Sequence, residues 1–208
     1  MDLNKCVVYD VEVLRGPDHV DGGWDNPAAM GFSSAVAYSY EKDRYYFFLH
    51  QEEISGLLKL LDHKTAVSFN GIHFDSRVIL GNDRAIDRFG RISRDGLWFD
   101  NYDILLEYVR SRYNYNTVRQ AEARLGDKTI HDGSFGLDGL AEGTLGLNKI
   151  GHGAKAPELY KDGKYEDLLA YNLQDVRLTR KLFEFVRFYR YLTDRLGKAI
   201  KIPIDYIG

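Results

Sequence analysis

The sequence predicts an α/β fold, a mixed β-sheet flanked by helices and formed by one domain over residues 1–208. Three observations lead there. Three strand-like runs crowd into the first fifty residues, and helical and strand periodicities alternate after them. The chain of 208 residues is 44% hydrophobic and 28% charged, enough apolar material for one substantial core.

Residues 5–13 form a valine-rich apolar run and read as a buried strand. Residues 14–33 follow with Pro17, Gly22, Gly23, Pro27 and Gly31, and read as a long irregular loop, of the kind that carries function or moves. Strands are expected over 35–40 and 44–50, joined by a hairpin turn at Glu41-Lys42-Asp43. Ile54, Leu57, Leu58 and Leu61 lie at helical spacing within 52–61. A short strand over 65–69 runs into the turn residues Asn70-Gly71, and a helix is expected to begin near Phe74. A strand over 97–102 leads into a helix over 104–112. Further helices are expected over 117–125 and 137–145, with a glycine- and lysine-rich loop over 148–164. One long amphipathic helix, with room for a break, covers 165–196, and 200–207 closes the chain as a strand.

Composition excludes several classes. The formal net charge of −3 is wrong for a protein that coats nucleic acid by charge alone, although arginines cluster at Arg84, Arg88, Arg91 and Arg94 and again at Arg177, Arg180, Arg187 and Arg190. No run approaches the ~20 apolar residues that span a bilayer. The first residues lack the basic and apolar segments of a secretory signal, and the lone Cys6 sits inside an apolar run as a small buried hydrophobe. The expectation is a cytoplasmic, intracellular protein.

Chemistry concentrates in three segments. Asp10 and Glu12 stand two apart in the first strand, and a strand points such residues to one face. About one Asp-x-Glu is expected by chance in this composition, but an apolar strand is where neither acid belongs without a cation. Asp75 follows Asn70-Gly71-Ile72-His73-Phe74 at a strand-to-helix transition, where open α/β sheets collect ligands and where an aspartate can also simply cap a helix. Tyr171 and Asp175 lie four apart on one face of the last helix, in the only Tyr-x-x-x-Asp of the chain.

In that order the three segments resemble the Exo I, Exo II and Exo III motifs of the DEDD superfamily of 3′–5′ exonucleases. The histidine subclass would carry His where this chain has Ala170, and the tyrosine subclass carries Tyr where it has Tyr171. The chain is thus similar to the tyrosine subclass (DEDDy). Asp100-Asn101-Tyr102-Asp103, Leu137-Asp138-Gly139-Leu140 and Val176-Arg177-Leu178-Thr179 extend the likeness, whereas the loop 14–33 matches no family pattern.

The resemblance implies a ribonuclease H-like sheet and hydrolysis of terminal phosphodiester bonds at a nucleic acid 3′ end, DNA or RNA, with single-stranded DNA favoured. It also implies two Mg²⁺ or Mn²⁺ ions, with Asp10 bridging them, Glu12 and Asp175 completing one site and Asp75 holding the second ion through water. Tyr171 would orient the attacking water, and Asn70, His73 and Phe74 would approach the terminal nucleotide. Trp24 in the long loop is a candidate for base stacking, though a loop tryptophan commonly anchors its own loop. A separate polymerase or helicase partner is compatible with this reading. Two other readings stay open: a catalytically silent exonuclease-like module that binds nucleic acid, and an endonuclease of the ribonuclease H or resolvase type.

Overall fold

Strand β1 (Cys6–Val13) is buried along its length except at Asp10, which is half-buried. In the computed structural model, which describes residues 2–87, 89–126, 134–147 and 156–203, β1 lies near the middle of a seven-stranded sheet. The other strands are β2 (Phe32–Ser39), β3 (Arg44–Leu49), β4 (Thr65–Ser68), β5 (Ala85–Ile86), β6 (Arg91–Arg94) and β7 (Leu97–Asp103), in the spatial order β3-β2-β1-β4-β7-β6-β5. Strands β1, β4 and β7 run parallel, and the flanking strands add in antiparallel sense. The sheet is therefore mixed, as the sequence predicts.

The helices are α1 (Pro27–Met30), α2 (Ile54–Leu61), α3 (Asp75–Leu80), α4 (Ile104–Tyr113), α5 (Val118–Leu125), α6 (Leu137–Leu145), α7 (Ala156–Lys161) and α8 (Tyr165–Tyr189). They cover both faces of the sheet. Register places Val11, Ala35 and Phe48 in one row on one face, where a Cβ built on Gly56 of α2 would lie 3.2 Å from the Phe48 ring. The opposite face carries Val8, Asp10 and Glu12 and is crossed by α8, which packs on β1, β2 and β4.

Helix α8 is held by a stripe at helical spacing: Leu168, Asn172, Asp175, Thr179, Leu182 and Val186 are all buried. Burying each aliphatic member of that stripe contributes roughly 1.5–3 kcal/mol, so the apolar residues beyond Asp175 set the position of the helix. It stops at Arg190, whose left-handed φ of 63° turns the chain into β8 (Tyr191–Thr193), paired with β9 (Ala199–Lys201). Helix α6 approaches this small sheet so closely that a Cβ on Gly143 would meet the Asp194 carbonyl oxygen at 2.1 Å.

Several expectations need correction. The loop 14–33 contains two 3-10 turns and α1, and β2 begins at Phe32 rather than at 35. The hairpin β5–β6 has no counterpart in the sequence reading, because short edge strands with exposed arginines lack the alternation that marks a half-buried strand. Residues 156–161 are helical within the stretch expected to be a loop, whereas 148–155 lie outside the described residues. The last helix ends at Tyr189, short of 196, and the closing strand spans Ala199–Lys201, with 204–207 outside the described residues.

Candidate metal centre

The alternation of β1 sends Asp10 and Glu12 toward α8, where Asp175 arrives from 163 residues further along the chain. One ligand oxygen from each of Asp10, Glu12 and Asp175 falls within 4.8 Å of the others. Glu12 and Asp175 are buried and Asp10 half-buried, so water can screen their repulsion only in part. Asn172, three residues before Asp175 and fully buried, donates its Nδ2–H to the Asp10 carbonyl oxygen at 3.3 Å and to Asp10 Oδ2 at 3.2 Å. The amide thereby fixes the Asp10 carboxylate relative to helix α8.

Asp75 is the fourth acid, placed at the first position of α3 by the turn after β4. Its Oδ1 accepts the Val11 N–H at 2.8 Å, which seats it against the segment of β1 that separates Asp10 from Glu12. Burial pushes the Asp75 carboxyl up to about 7. The Val11 amide and its own amide oppose the rise, and Asp103 and Asp175 add to it. Asp75 is thus close enough to feel Asp175, while the tight oxygen cluster consists of the other three acids.

The turn that delivers Asp75 has its own lock. Asn70 adopts φ 65°, a left-handed conformation that asparagine tolerates better than most residues. Gly71 has no substitute at its position, since a Cβ there would lie 2.3 Å from Ser68 Oγ. Asp103, buried at the end of β7, accepts the N–H groups of Asn70 at 2.9 Å, Ile72 at 3.2 Å and Leu106 at 3.2 Å. One carboxylate therefore caps α4 and pins the turn. Burial pushes its carboxyl up to about 6 against the pull of those three amides. Arg84, also buried, donates Nε–H to Ser76 Oγ at 2.9 Å and a guanidinium N–H to the Ile72 carbonyl oxygen, which holds the start of α3 from the other side.

Tyr171 is half-buried beside the acids. Burial, followed by the charges of Asp175, Glu12 and Asp10 and a hydrogen bond to Asp175, holds its hydroxyl far above the ordinary tyrosine range. At neutral pH it is therefore a donor and not a base. His73 is half-buried, and burial together with Arg77, Arg84 and Arg110 pushes its ring down to about 4 against the opposing charge of Glu122, so it is neutral near pH 7. Phe74 is half-buried, and its ring lies 5.8 Å from that of Trp24.

The structure thus brings Asp10, Glu12 and Asp175 together, with Asp75 and Tyr171 electrostatically coupled to them. Asn70, His73 and Phe74 belong to the adjoining turn. The sequence reading overlooked Asn172 and the buried role of Arg84, and took Asp103 only as part of a supporting motif. An amide inside an acidic motif and an arginine in a loop give no periodic signal in the sequence, and only the fold shows that both are buried.

The donor set fits a hard divalent cation. It is made of carboxylate oxygens, with Asn172 Oδ1 buried beside it and lacking a hydrogen-bond partner among the described residues. Oxygen donors of this kind suit a hard cation and not a thiolate- or imidazole-seeking metal. The chain matches no protein-family model, and comparison with curated proteins yields no similar sequence.

Proposed function

We propose that the protein is a divalent-metal-dependent 3′–5′ exonuclease of the DEDD type, tyrosine subclass, acting on nucleic acid from a ribonuclease H-like sheet. One observation carries the reading: acids from β1 and α8, remote in sequence, converge within 4.8 Å with a buried fourth acid and a tyrosine coupled to them. A cluster of like charges in a poorly hydrated place is costly and is explained if the acids jointly hold cations. Asp10, Glu12 and Asp175 would hold one ion, and Asp10 with Asp75 the second. Such ions supply charge neutralisation at the attacking and leaving oxygens of a phosphodiester.

The chain's own groups have separate tasks. Asn172 keeps the Asp10 carboxylate in place, and Asp103 with Arg84 keeps Asp75 in place. Tyr171, protonated at working pH and with its O–H given to Asp175, would orient the attacking water by accepting from it, without removing its proton. The neutral His73 contributes hydrogen bonding and shape to the nucleotide's surroundings without adding a charge.

The test is release of mononucleotides from a 5′-labelled single strand in Mg²⁺ or Mn²⁺, comparing wild type with Asp10→Ala and with EDTA. Activity confined to the wild type in metal is expected, and equal activity in all three would remove the proposal. A circular single strand should survive, and its cleavage would indicate an endonuclease instead.

A further inference from the structure

The long segment between β1 and β2 ends up beside the acid-bearing turn, and it is anchored by polar contacts. Arg77 of α3 donates to the Asp25 carbonyl oxygen at 3.4 Å, Asn82 Nδ2 donates to Asn26 Oδ1 at 2.6 Å, and Arg119 of α5 pairs with the Asp25 carboxylate. Asn26 in turn donates to the Asp21 carbonyl oxygen at 3.0 Å. These contacts bracket Trp24, yet the indole itself remains 60% exposed.

A tryptophan that anchors a loop buries its ring, because that burial is where its stabilisation comes from. Here the anchoring is done by its neighbours, and the ring meets Phe74 at 5.8 Å in a tilted arrangement that leaves much of its surface in solvent. Phe74 immediately precedes Asp75, so the exposed indole stands next to the candidate metal centre. The charges on this flank are mixed: Asp21 and Asp25 flank Trp24 in the chain, Arg119 pairs with Asp25, Arg110 pairs with Glu107, and Arg77 donates to the Asp25 carbonyl oxygen.

An exposed aromatic plane offers a face on which an unpaired base can stack whatever its identity. We infer that Trp24 is a stacking platform for an unpaired nucleobase of the bound strand, which makes single-stranded or frayed 3′ ends the substrate class of this site. The inference rests on the exonuclease reading for its strand polarity. It does not rest on it for the stacking.

The chain has two tryptophans, so Trp98→Phe leaves Trp24 as the sole indole. Trp98 is half-buried on β7 beneath the Arg91 guanidinium, 3.9 Å from its ring centroid. In EDTA, adding a ten-nucleotide oligothymidylate or oligouridylate should quench Trp24 emission by half or more. An abasic phosphodiester strand of the same length should bind, as read by anisotropy of a labelled copy, without that quenching. Trp24→Ala should weaken oligonucleotide binding roughly tenfold, and Trp24→Phe should restore most of it.

Binding without any change in emission, equal quenching by the abasic strand, or no binding at any accessible concentration would each overturn the inference. The companion assay in Mn²⁺ separates the two claims. Hydrolysis without quenching removes the stacking role and leaves the nuclease, whereas quenching without hydrolysis removes the nuclease and leaves the stacking role.

Discussion

Replacing Asp10 with asparagine should stabilise the metal-free protein while abolishing its response to metal. At the 4.8 Å that bounds the acid cluster, two full charges in an effective dielectric of 20 repel by about 3.5 kcal/mol. Asp10 has two such neighbours. The penalty has a ceiling, because a carboxyl group of ordinary pKa near 4 can escape by taking up a proton at pH 7 for about 4 kcal/mol. A net relief of roughly 2–3 kcal/mol is therefore expected when one charge is removed. Asparagine keeps an oxygen that can accept from Asn172 Nδ2, so the hydrogen bond need not be lost with the charge.

For a chain of this size each kcal/mol moves the melting temperature by about 2–4 °C, which gives a rise of roughly 4–12 °C in EDTA. The wild type should regain the difference in Mn²⁺, since a ligand at a hundred times its Kd adds about 2.7 kcal/mol. Differential scanning calorimetry of both proteins, in EDTA and in Mn²⁺, reads all four values. If Asp10→Asn melts at or below the wild type in EDTA, the repulsion argument fails. If Mn²⁺ stabilises both proteins equally, the acids do not share a cation.

Three other expectations are open to direct measurement. Asp75 holds its proton in the folded state up to about pH 7, well beyond the unfolded chain. Its stabilising contribution is therefore complete below about pH 4 and lost as pH rises through 7. In EDTA the denaturant stability of wild type relative to Asp75→Asn should fall between pH 4 and 8, and a flat difference would contradict the assignment. Tyr171→Phe should slow turnover roughly ten- to hundredfold through misplacement of the attacking water, with Mn²⁺ affinity by calorimetry nearly unchanged. Asp103→Ala leaves two buried amides and one part-buried amide without their acceptor and should cost about 3 kcal/mol in urea denaturation, with activity falling in the same variant.

Much of the architecture was legible because hydrophobic periodicity is a strong signal over long buried elements. The apolar run of β1, the hairpin β2–β3 and the stripe of α8 all announce themselves, and Asp10 and Glu12 stand out because acids are foreign to such a strand. Asp75 was found through its turn, not through any pattern of charge. Elements with few buried side chains escaped, among them β5–β6, where Ala85, Ile86, Arg91 and Arg94 are exposed. Trp24 was ambiguous for a different reason: whether an indole anchors or binds depends on its exposure, which only the folded loop determines.

Helix α8 carries Tyr171, Asn172 and Asp175 in its first half and is packed on both sides of them, by Leu168 before and by Leu182, Phe183 and Val186 after. The eleven helical steps from Asp175 to Val186 span roughly 16 Å, so repacking at the far end can tilt the whole helix. A tilt of only about 5° about that end moves the acid by more than 1 Å, and displacements of that size can cost a hundredfold in rate. Cavity-forming changes at Val186 or Phe183 would therefore present as loss of turnover in a folded protein. Such variants would be mistaken for lesions of the chemistry itself, although they lie far from any reacting atom.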